Sequence, residues 1–388
     1  MAQAAEVQSQ TTSQSVKLQL ERAVLLKALG HVQSVVERRG TIPILANVKI
    51  MAEGGEVKLT ATDMDIAVVE TISAQVEEEG GATVPAHMLY EIVRKLPDDA
   101  TIEFSVKAGD SKAVIKSGKS RFTLSVLSPD DFPVMAEGEL PHSFSIASAE
   151  CVALVEKTRF AMSTEETRYY LNGVYLHAAN DDGTQVLRAV ATDGHRLARM
   201  QIALPDGAAE IPGVIIPRKT IGELFKLVQE QGVEEVQIAL SDSKIRFVCG
   251  SAVIVSKLID GTFPDYDRVI PTGNDKIMEV EGKLFSNAVD RVSVIASEKS
   301  RGIKLSLKPN SLTLSAVSAE QGDATEEIAV NYGADTVEIG FNSRYLLDMM
   351  AQIEGDSAQF VFADSAAPAL VRDPADVGAL YVIMPMRV

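Results

Sequence analysis

The chain has 388 residues, of which 46% are apolar and 5% aromatic, with no tryptophan and a formal net charge of −17. That length accommodates two to four domains of roughly 100–200 residues, with aliphatic cores, and no run of about 18 apolar residues is present to span a membrane. An acidic excess argues against simple adhesion to nucleic acid, where a basic surplus is usual, unless the basic residues gather on one face.

Residues 1–15 are rich in Gln, Ser, Thr and Ala and read as a disordered tail. They lack the basic and apolar regions of a secretory signal. Leu25, Leu26, Leu29, Val32 and Val36 then recur at helical spacing and predict an amphipathic helix that opens a first unit. Val57, Leu59 and Ala61 alternate with Lys58, Thr60 and Thr62, as in a half-buried strand. Pro85 opens a second helical stretch through Met88, Leu89, Ile92, Val93 and Leu96, where its missing N–H does no harm. A strand over Thr101–Lys107 follows. Ser117-Gly118-Lys119-Ser120 resembles the end of a phosphate-binding loop, but that loop needs a glycine where Ala113 stands and a helix after the serine. The strand-like Arg121–Val126 follows instead, so the segment reads as a hairpin turn.

The same order then recurs. Helical patterns fall at Cys151, Leu154, Val155 and Thr158, and after Pro217 at Ile221, Leu224, Phe225 and Val228, with a strand over Val236–Leu240. A third, fainter copy has Leu284, Phe285, Ala288, Val289 and Val292, a strand through Leu312, Leu314 and Ala316, and a helix through Leu346, Leu347, Met350 and Ile353, with a strand at Gln359–Phe362. Asp193 follows Asp63 by 130 positions, and Ser256-Lys-Leu258 before Phe263-Pro264 repeats Ser125-Val-Leu127 before Phe132-Pro133. Ala316 matches Ala191, and Asn342 matches Pro217. Three copies of one unit imply rotational pseudo-symmetry. Each holds two helices and about eight strands with hairpin-length turns, an α+β unit with antiparallel sheets. The expected divisions are a tail over 1–15 and domains over 16–140, 141–274 and 275–388, jointed at Glu137–His142 and Thr272–Lys276. Cys151 and Cys249 sit in apolar segments, and a reduced, cytoplasmic chain is expected.

No catalytic constellation stands out. Asp63 recurs as Asp193, and a carboxylate repeated with the fold reads as a turn or cap. His195, in Thr192-Asp-Gly-His-Arg196, is the best candidate for a catalytic histidine, yet no serine or cysteine partner is recognisable. Ser241-Asp242-Ser243-Lys244 has a hydrolase-like spacing but falls between two strands. The five histidines are scattered without metal-ligand spacing. A binding or structural role leads; the rival is a hydrolase or transferase centred on His195 and Asp193.

The helices escape the acidic bias. Arg22, Lys27, Arg38 and Arg39 in the first unit, Lys157, Arg159, Arg168, Arg218, Lys219 and Lys226 in the second, and Arg291, Lys299, Arg301 and Arg344 in the third suggest one basic surface built from helices. Six helices of about 10 Å each, ringed side by side, leave a hole of about 9 Å, narrower than the roughly 12 Å major groove. Twelve helices from two chains leave about 28 Å, enough for a duplex. A ring therefore requires a dimer.

Four motifs, Arg168-Tyr-Tyr-Leu-Asn-Gly173, Ala191-Thr-Asp-Gly-His-Arg-Leu197, Phe263-Pro-Asp-Tyr266 and Met384-Pro-Met-Arg387, occur in the order seen in the beta sliding clamp family of bacterial DNA polymerase III, which the chain closely resembles over residues 16–388. The resemblance implies three clamp domains closing head to tail into a dimeric ring around duplex DNA, with no enzymatic activity and no cofactor. The implied partners are double-stranded DNA, the polymerase III alpha subunit, the clamp loader, and other polymerases and repair proteins that carry clamp-binding peptides. It places a peptide pocket at Leu171, Thr192, Gly194, His195, Arg196, Leu197, Pro264, Arg268, Val269, Asn342, Tyr345, Val382, Met384, Pro385, Met386 and Arg387. It places DNA contacts at Arg39, Tyr169, Tyr170, Arg218 and Lys219, and a heterologous dimer seam at Phe122 and Leu124 against Val294 and Ile295. Ser300 and Pro368 depart from the family's residues near the pocket, and the tail before Val16 is extra.

Overall fold

The computed structural model describes residues 15–37, 40–136, 138–296 and 301–387. The predicted tail, apart from Ser15, lies outside the described residues, as do Arg39 and Ser300. Six α-helices are present among the described residues: α1 (Arg22–Gln33), α2 (Ala86–Lys95), α3 (Ser148–Arg159), α4 (Arg218–Gln231), α5 (Gly282–Ser293) and α6 (Ser343–Met350). Each repeat contributes two, and every strand pairing is antiparallel, as in Ala67↔Val255 and Leu197↔Val382.

Each repeat opens on a strand, which corrects the expectation of an opening helix. Val16–Glu21, His142–Ala147 and Lys276–Glu281 run directly into α1, α3 and α5. In the first, Val16, Leu18 and Leu20 are buried while Lys17 and Gln19 are half-buried, a period of two too brief to stand out beside the helix that follows. The second helix of each repeat starts as predicted. Pro85 occupies the cap position of α2, Pro217 immediately precedes α4, and Asn342 caps α6 by accepting the Arg344 N–H at 3.0 Å. Met88 departs from its predicted core position: it is 55% exposed, one step off the buried stripe of Ala86, Leu89 and Val93.

The chain divides into two compact units. The first, Met1–Ser148 with Gly222–Lys257, holds a five-stranded and an eight-stranded sheet. α1 packs on α2 and on the strands Glu56–Thr62 and Ile66–Ser73. Val48, Ile50, Val57, Leu59, Ile66 and Val68 form the buried face of the large sheet. The second unit, Ala149–Ile221 with Leu258–Val388, holds a nine-stranded and a four-stranded sheet. Its core is more aromatic than the sequence-wide scarcity suggests: Phe285 and Phe360 meet at 5.1 Å between centroids, and Phe360 stacks on Phe362 at 6.1 Å.

Both large sheets cross a repeat boundary. In the first unit, Ala252–Lys257 of repeat two pairs with Ile66–Ser73 of repeat one. In the second, Asp376–Ile383 of repeat three pairs with Arg196–Ala203 of repeat two. The repeats are therefore stitched by main-chain hydrogen bonds, which turn and linker composition gave no means of foreseeing.

The repeated Thr-Asp dipeptide is a turn device. Thr62 Oγ1 accepts from Met64 N at 3.0 Å and donates to Ile66 O at 2.9 Å, while Asp63 Oδ1 accepts from Asp65 N and Ile66 N, both at 2.9 Å. Thr192 and Asp193 repeat all four bonds with Gly194, His195 and Arg196. The third turn residue has positive φ in both copies, 81° at Met64 and 87° at Gly194. Gly118, at φ 55°, likewise sits in the expected hairpin turn between Lys112–Ser117 and Ser120–Ser125.

Candidate functional site

The Thr192–Arg196 turn brings the end of one strand beside the closing strand of the chain. Leu197 faces Val382 across the ladder, and Met384 N donates to His195 O at 2.9 Å. Beneath them Leu171, Val190, Ile215, Phe263 and Leu380 form one buried apolar cluster with Leu197 and Val382. Above it opens a cavity of about 320 Å³. Nine predicted residues line it: Leu171, Thr192, Gly194, Arg196, Leu197, Pro264, Val269, Val382 and Met384.

Arg168, Tyr170 and Tyr266 complete the wall and were not among the predicted pocket residues. Each lay within a quoted motif, so the signal was the motif as a whole. Tyr170, assigned by resemblance to DNA, faces the cavity. Tyr266 is braced from behind: its hydroxyl lies 2.9 Å from His177 Nε2 and 3.5 Å from Arg188 Nη1, and Arg188 in turn pairs with Asp181 at 2.5 Å. Burial pushes the Tyr266 phenol above its ordinary pKa.

Arg196 ties the wall together. Its Nη1 pairs with Asp348 of α6 at 2.5 Å, its Nε with Asp193 at 3.1 Å, and its Nη2 donates to Phe160 O at 2.7 Å. Its Cζ lies 4.4 Å from the Tyr345 ring centroid, a cation–π distance. His195 stacks on the same ring, 6.3 Å between centroids at 21°. Met386 N donates to Gly340 O at 2.8 Å, which holds the segment carrying Pro385 beside the strand that leads to Asn342. Arg268 is 85% exposed at its side chain and pairs with Asp265 at 2.7 Å, and Arg387 is exposed; both stand outside the lining. Pro368 O accepts from Asn274 Nδ2 at 2.9 Å.

This geometry leaves the hydrolase reading without a machine. Both Asp193 oxygens are committed, one to the turn amides and the other to Arg196. The His195 ring meets the Tyr345 face, and the charged groups next to it, Asp193, Arg196 and Asp348, are paired with one another. Among the described residues, no three His, Cys, Asp or Glu side chains cluster as a metal site would require.

Three further predicted DNA contacts, Tyr169, Arg218 and Lys219, lie in the same unit. Tyr169 is 53% exposed and meets Tyr170 edge-on at 5.8 Å. Arg218 donates to the carbonyls of Met162 and Ser163 at 2.8 and 2.7 Å, which fixes the guanidinium at the start of α4. The helical basic residues are less available than their number suggests. Lys157 is 4% exposed, pairing with Glu354 at 2.6 Å, and Arg291 is paired with Glu326 at 2.5 Å. Of the predicted seam residues, Phe122 and Leu124 sit half-buried on the edge strand Ser120–Ser125, and Val294, just past α5, is 73% exposed beside half-buried Ile295.

The chain matches the family models for the N-terminal, central and C-terminal domains of the DNA polymerase III beta subunit at residues 16–136, 145–265 and 267–387. It belongs to the DNA polymerase III beta subunit family. The Caulobacter vibrioides beta sliding clamp is 53% identical over 96% of this chain and all of its own length, and that of Pseudomonas aeruginosa 42% identical over 95% and 99%. A crystal structure of the Caulobacter crescentus beta sliding clamp with bound polyethylene glycol superposes with a TM-score of 0.94, covering 97% of this chain and 100% of that one at 53% identity. A Bartonella birtlesii beta subunit bound to griselimycin gives 0.93, with 96% and 100% covered at 48% identity. Within this beta-subunit fold, no helix among the described residues is long and apolar enough to cross a membrane.

Proposed function

We propose that this chain is a DNA sliding clamp, in which two copies close head to tail around duplex DNA and act as a non-enzymatic, cytoplasmic processivity factor. The cavity beside Arg196 and Tyr345 holds short peptides of the polymerase III alpha subunit, the clamp loader, and other polymerases and repair proteins. The observation that carries this reading is an apolar cavity of about 320 Å³, built by all four family motifs, in a chain 53% identical to a beta sliding clamp over 96% of its length. Met384 supplies the pliant thioether that accommodates varied apolar anchors. Domains over 16–140, 141–274 and 275–388 supply the pseudo-symmetry.

The dimer seam joins Phe122 and Leu124 to Val294 and Ile295. Ser120–Ser125 and Gly322–Ala329 each end a sheet with one edge unpaired, and such edges accept a further strand. The duplex contacts in this reading are Arg39, Tyr169, Arg218 and Lys219, with Tyr170 shared between the duplex and the cavity. Few phosphates are held at once, so grip comes from enclosure, and affinity for linear DNA is weak and salt-sensitive.

The test is retention on nicked circular DNA after loading. The complex survives gel filtration in high salt and is lost when the circle is linearised. Equal retention on linear and circular DNA would overturn the enclosure reading. Light scattering reports two chains per particle.

A further inference from the structure

The repeat that builds the cavity at Leu197 and Val382 builds a second groove inside the first unit. Register makes the two equivalent. Thr62 pairs with Ala67 and Ala67 with Val255, as Thr192 pairs with Leu197 and Leu197 with Val382. Phe132-Pro133-Val134-Met135 takes the place of Phe263-Pro264-Asp265-Tyr266. The groove, about 260 Å³, has Met51, Val69 and Val255 in its floor and the Phe132–Met135 segment as its wall. Val134 on that wall is 81% exposed. Met51 lies over Gly81, where an added Cβ would come within 2.2 Å of its sulfur, so the glycine gives the thioether its seat.

The two sites differ in what borders them. In the second repeat, Tyr175 and Arg188 are consumed internally: Tyr175 stacks on Phe263 at 4.8 Å, and Arg188 pairs with Asp181 at 2.5 Å. The register positions of Tyr175 and Arg188 are held in the first repeat by Lys49, two residues before Met51 on its strand, and Lys58, opposite Met51 across the ladder. Both lysines line the groove, and neither has an ion-pair partner among the described residues. An apolar trough with two uncommitted cations at its edge, in a chain of net charge −17, is complementary to an apolar side chain flanked by carboxylates.

We propose that this groove is a second docking site, for an extended segment of a partner protein that places a leucine- or phenylalanine-sized side chain beside acidic residues. Met51 and Met135 adapt to the apolar anchor, and Lys49 and Lys58 select the acidic neighbours. From the reading of the first cavity it borrows only the premise that this groove shape accepts a peptide.

Full-length protein labelled with carbon-13 at its methionine methyls separates the two sites. Met51 and Met135, assigned through Met51→Leu and Met135→Leu, report on the new groove, while Met384 reports on the other. The probes are the hexapeptide Gly-Asp-Leu-Phe-Glu-Gly and its counterpart with lysine in both acidic positions. The acidic peptide is expected to shift Met51 and Met135, the basic one to leave them in place, and Lys49→Glu with Lys58→Glu to weaken the acidic peptide's binding there by about tenfold or more, equivalent to about 1.4 kcal/mol. An unchanged far-UV circular dichroism spectrum and urea midpoint in that double variant certify the fold. Shifts confined to Met384 would overturn the second site and leave the first intact. Shifts at Met51 and Met135 alone would support it while counting against the first. Shifts that ignore the charge reversal, or that follow protein concentration in place of peptide, would overturn it.

Discussion

Arg196 lies against the ring of Tyr345, its Cζ 4.4 Å from the centroid, while the same guanidinium pairs with Asp348 one turn further along α6. A strand of the second repeat and a helix of the third are thus clasped by one side chain that is 8% exposed. Removing it takes the guanidinium from half-buried Asp348 and one of the partners from Asp193, a loss of charged hydrogen bonds of about 1.5–3 kcal/mol. Arg196→Ala is expected to lower the urea midpoint of the transition that carries this unit and to weaken a labelled polymerase-tail peptide by more than tenfold in fluorescence anisotropy. Asp348→Asn, which keeps the shape, has a smaller effect on both. An unchanged peptide affinity in Arg196→Ala would remove Arg196 from the site.

The first unit holds a buried polar knot that titrates. His31 is fully buried, with Nδ1 3.0 Å from Glu70 and Nε2 3.0 Å from Glu230, so a carboxyl group faces each ring nitrogen. Burial alone would raise the Glu70 pKa. Hydrogen bonds from His31, Ser251 and Gln231, with the His31 charge, outweigh burial and hold it below the usual range. A carboxylate depressed in the folded state contributes stability that is complete above its unfolded pKa and is lost as pH falls through the folded value. Glu70→Gln is therefore expected to cost about 2 kcal/mol at neutral pH and to flatten the fall of thermal midpoint on acidification. An acid slope identical to that of the unaltered chain would show that Glu70 carries no linkage.

The paired Thr-Asp turns predict opposite outcomes for one backbone position. Gly194 has φ 87°, and an added Cβ would stand 2.5 Å from Arg168 Nη1. Gly194→Ala is expected to destabilise by about 1–2 kcal/mol, the cost of left-handed backbone for an L-residue, and to displace Arg168 from the cavity wall. Met64 already bears that cost at φ 81° with its side chain 46% exposed. Met64→Gly relieves it, less about 0.5–1 kcal/mol of added unfolded-state entropy, for a net gain of up to about 1 kcal/mol in denaturant titration. A destabilised Met64→Gly would mean that the Met64 side chain makes up for its backbone.

Much of this was legible because the sequence states it three times. The helix starts at Pro85, Pro217 and Asn342 were visible as one position in three copies, and the structural role of Asp63 and Asp193 followed from their recurrence. The opening strands were not visible, since Val16, Leu18 and Leu20 give only three alternations before α1 begins. The sheet continuity between Ala67 and Val255 was hidden because pairing partners 188 positions apart leave no periodic trace. Nine cavity residues came from motif resemblance; periodicity could not separate Leu197 in the wall from Leu187 in the core. The commitment of Lys157 to Glu354 was equally invisible, since composition counts charges without their partners.

Cys249 gives a probe of the polar knot that involves neither proposed peptide site. Cys151 and Cys249 are unbridged, buried, and in separate units. Burial, and then the Glu70 charge, push the Cys249 thiol up to about 12. At pH 8 its thiolate fraction in the closed protein is about 10⁻⁴, and the thiolate is the reacting species. Modification by Ellman's reagent must then wait for local opening. In native protein both thiols are expected to react far more slowly than in urea, where two per chain titrate promptly. Glu70→Gln acts twice in the same direction, removing the charge that disfavours the Cys249 thiolate and loosening the His31 network above it. Modification of Cys249, read by mass spectrometry of its peptide, is expected to quicken by tenfold or more while Cys151 keeps its rate. Equal acceleration at both cysteines would mean that Glu70→Gln weakens the whole chain and that the knot has no local reach.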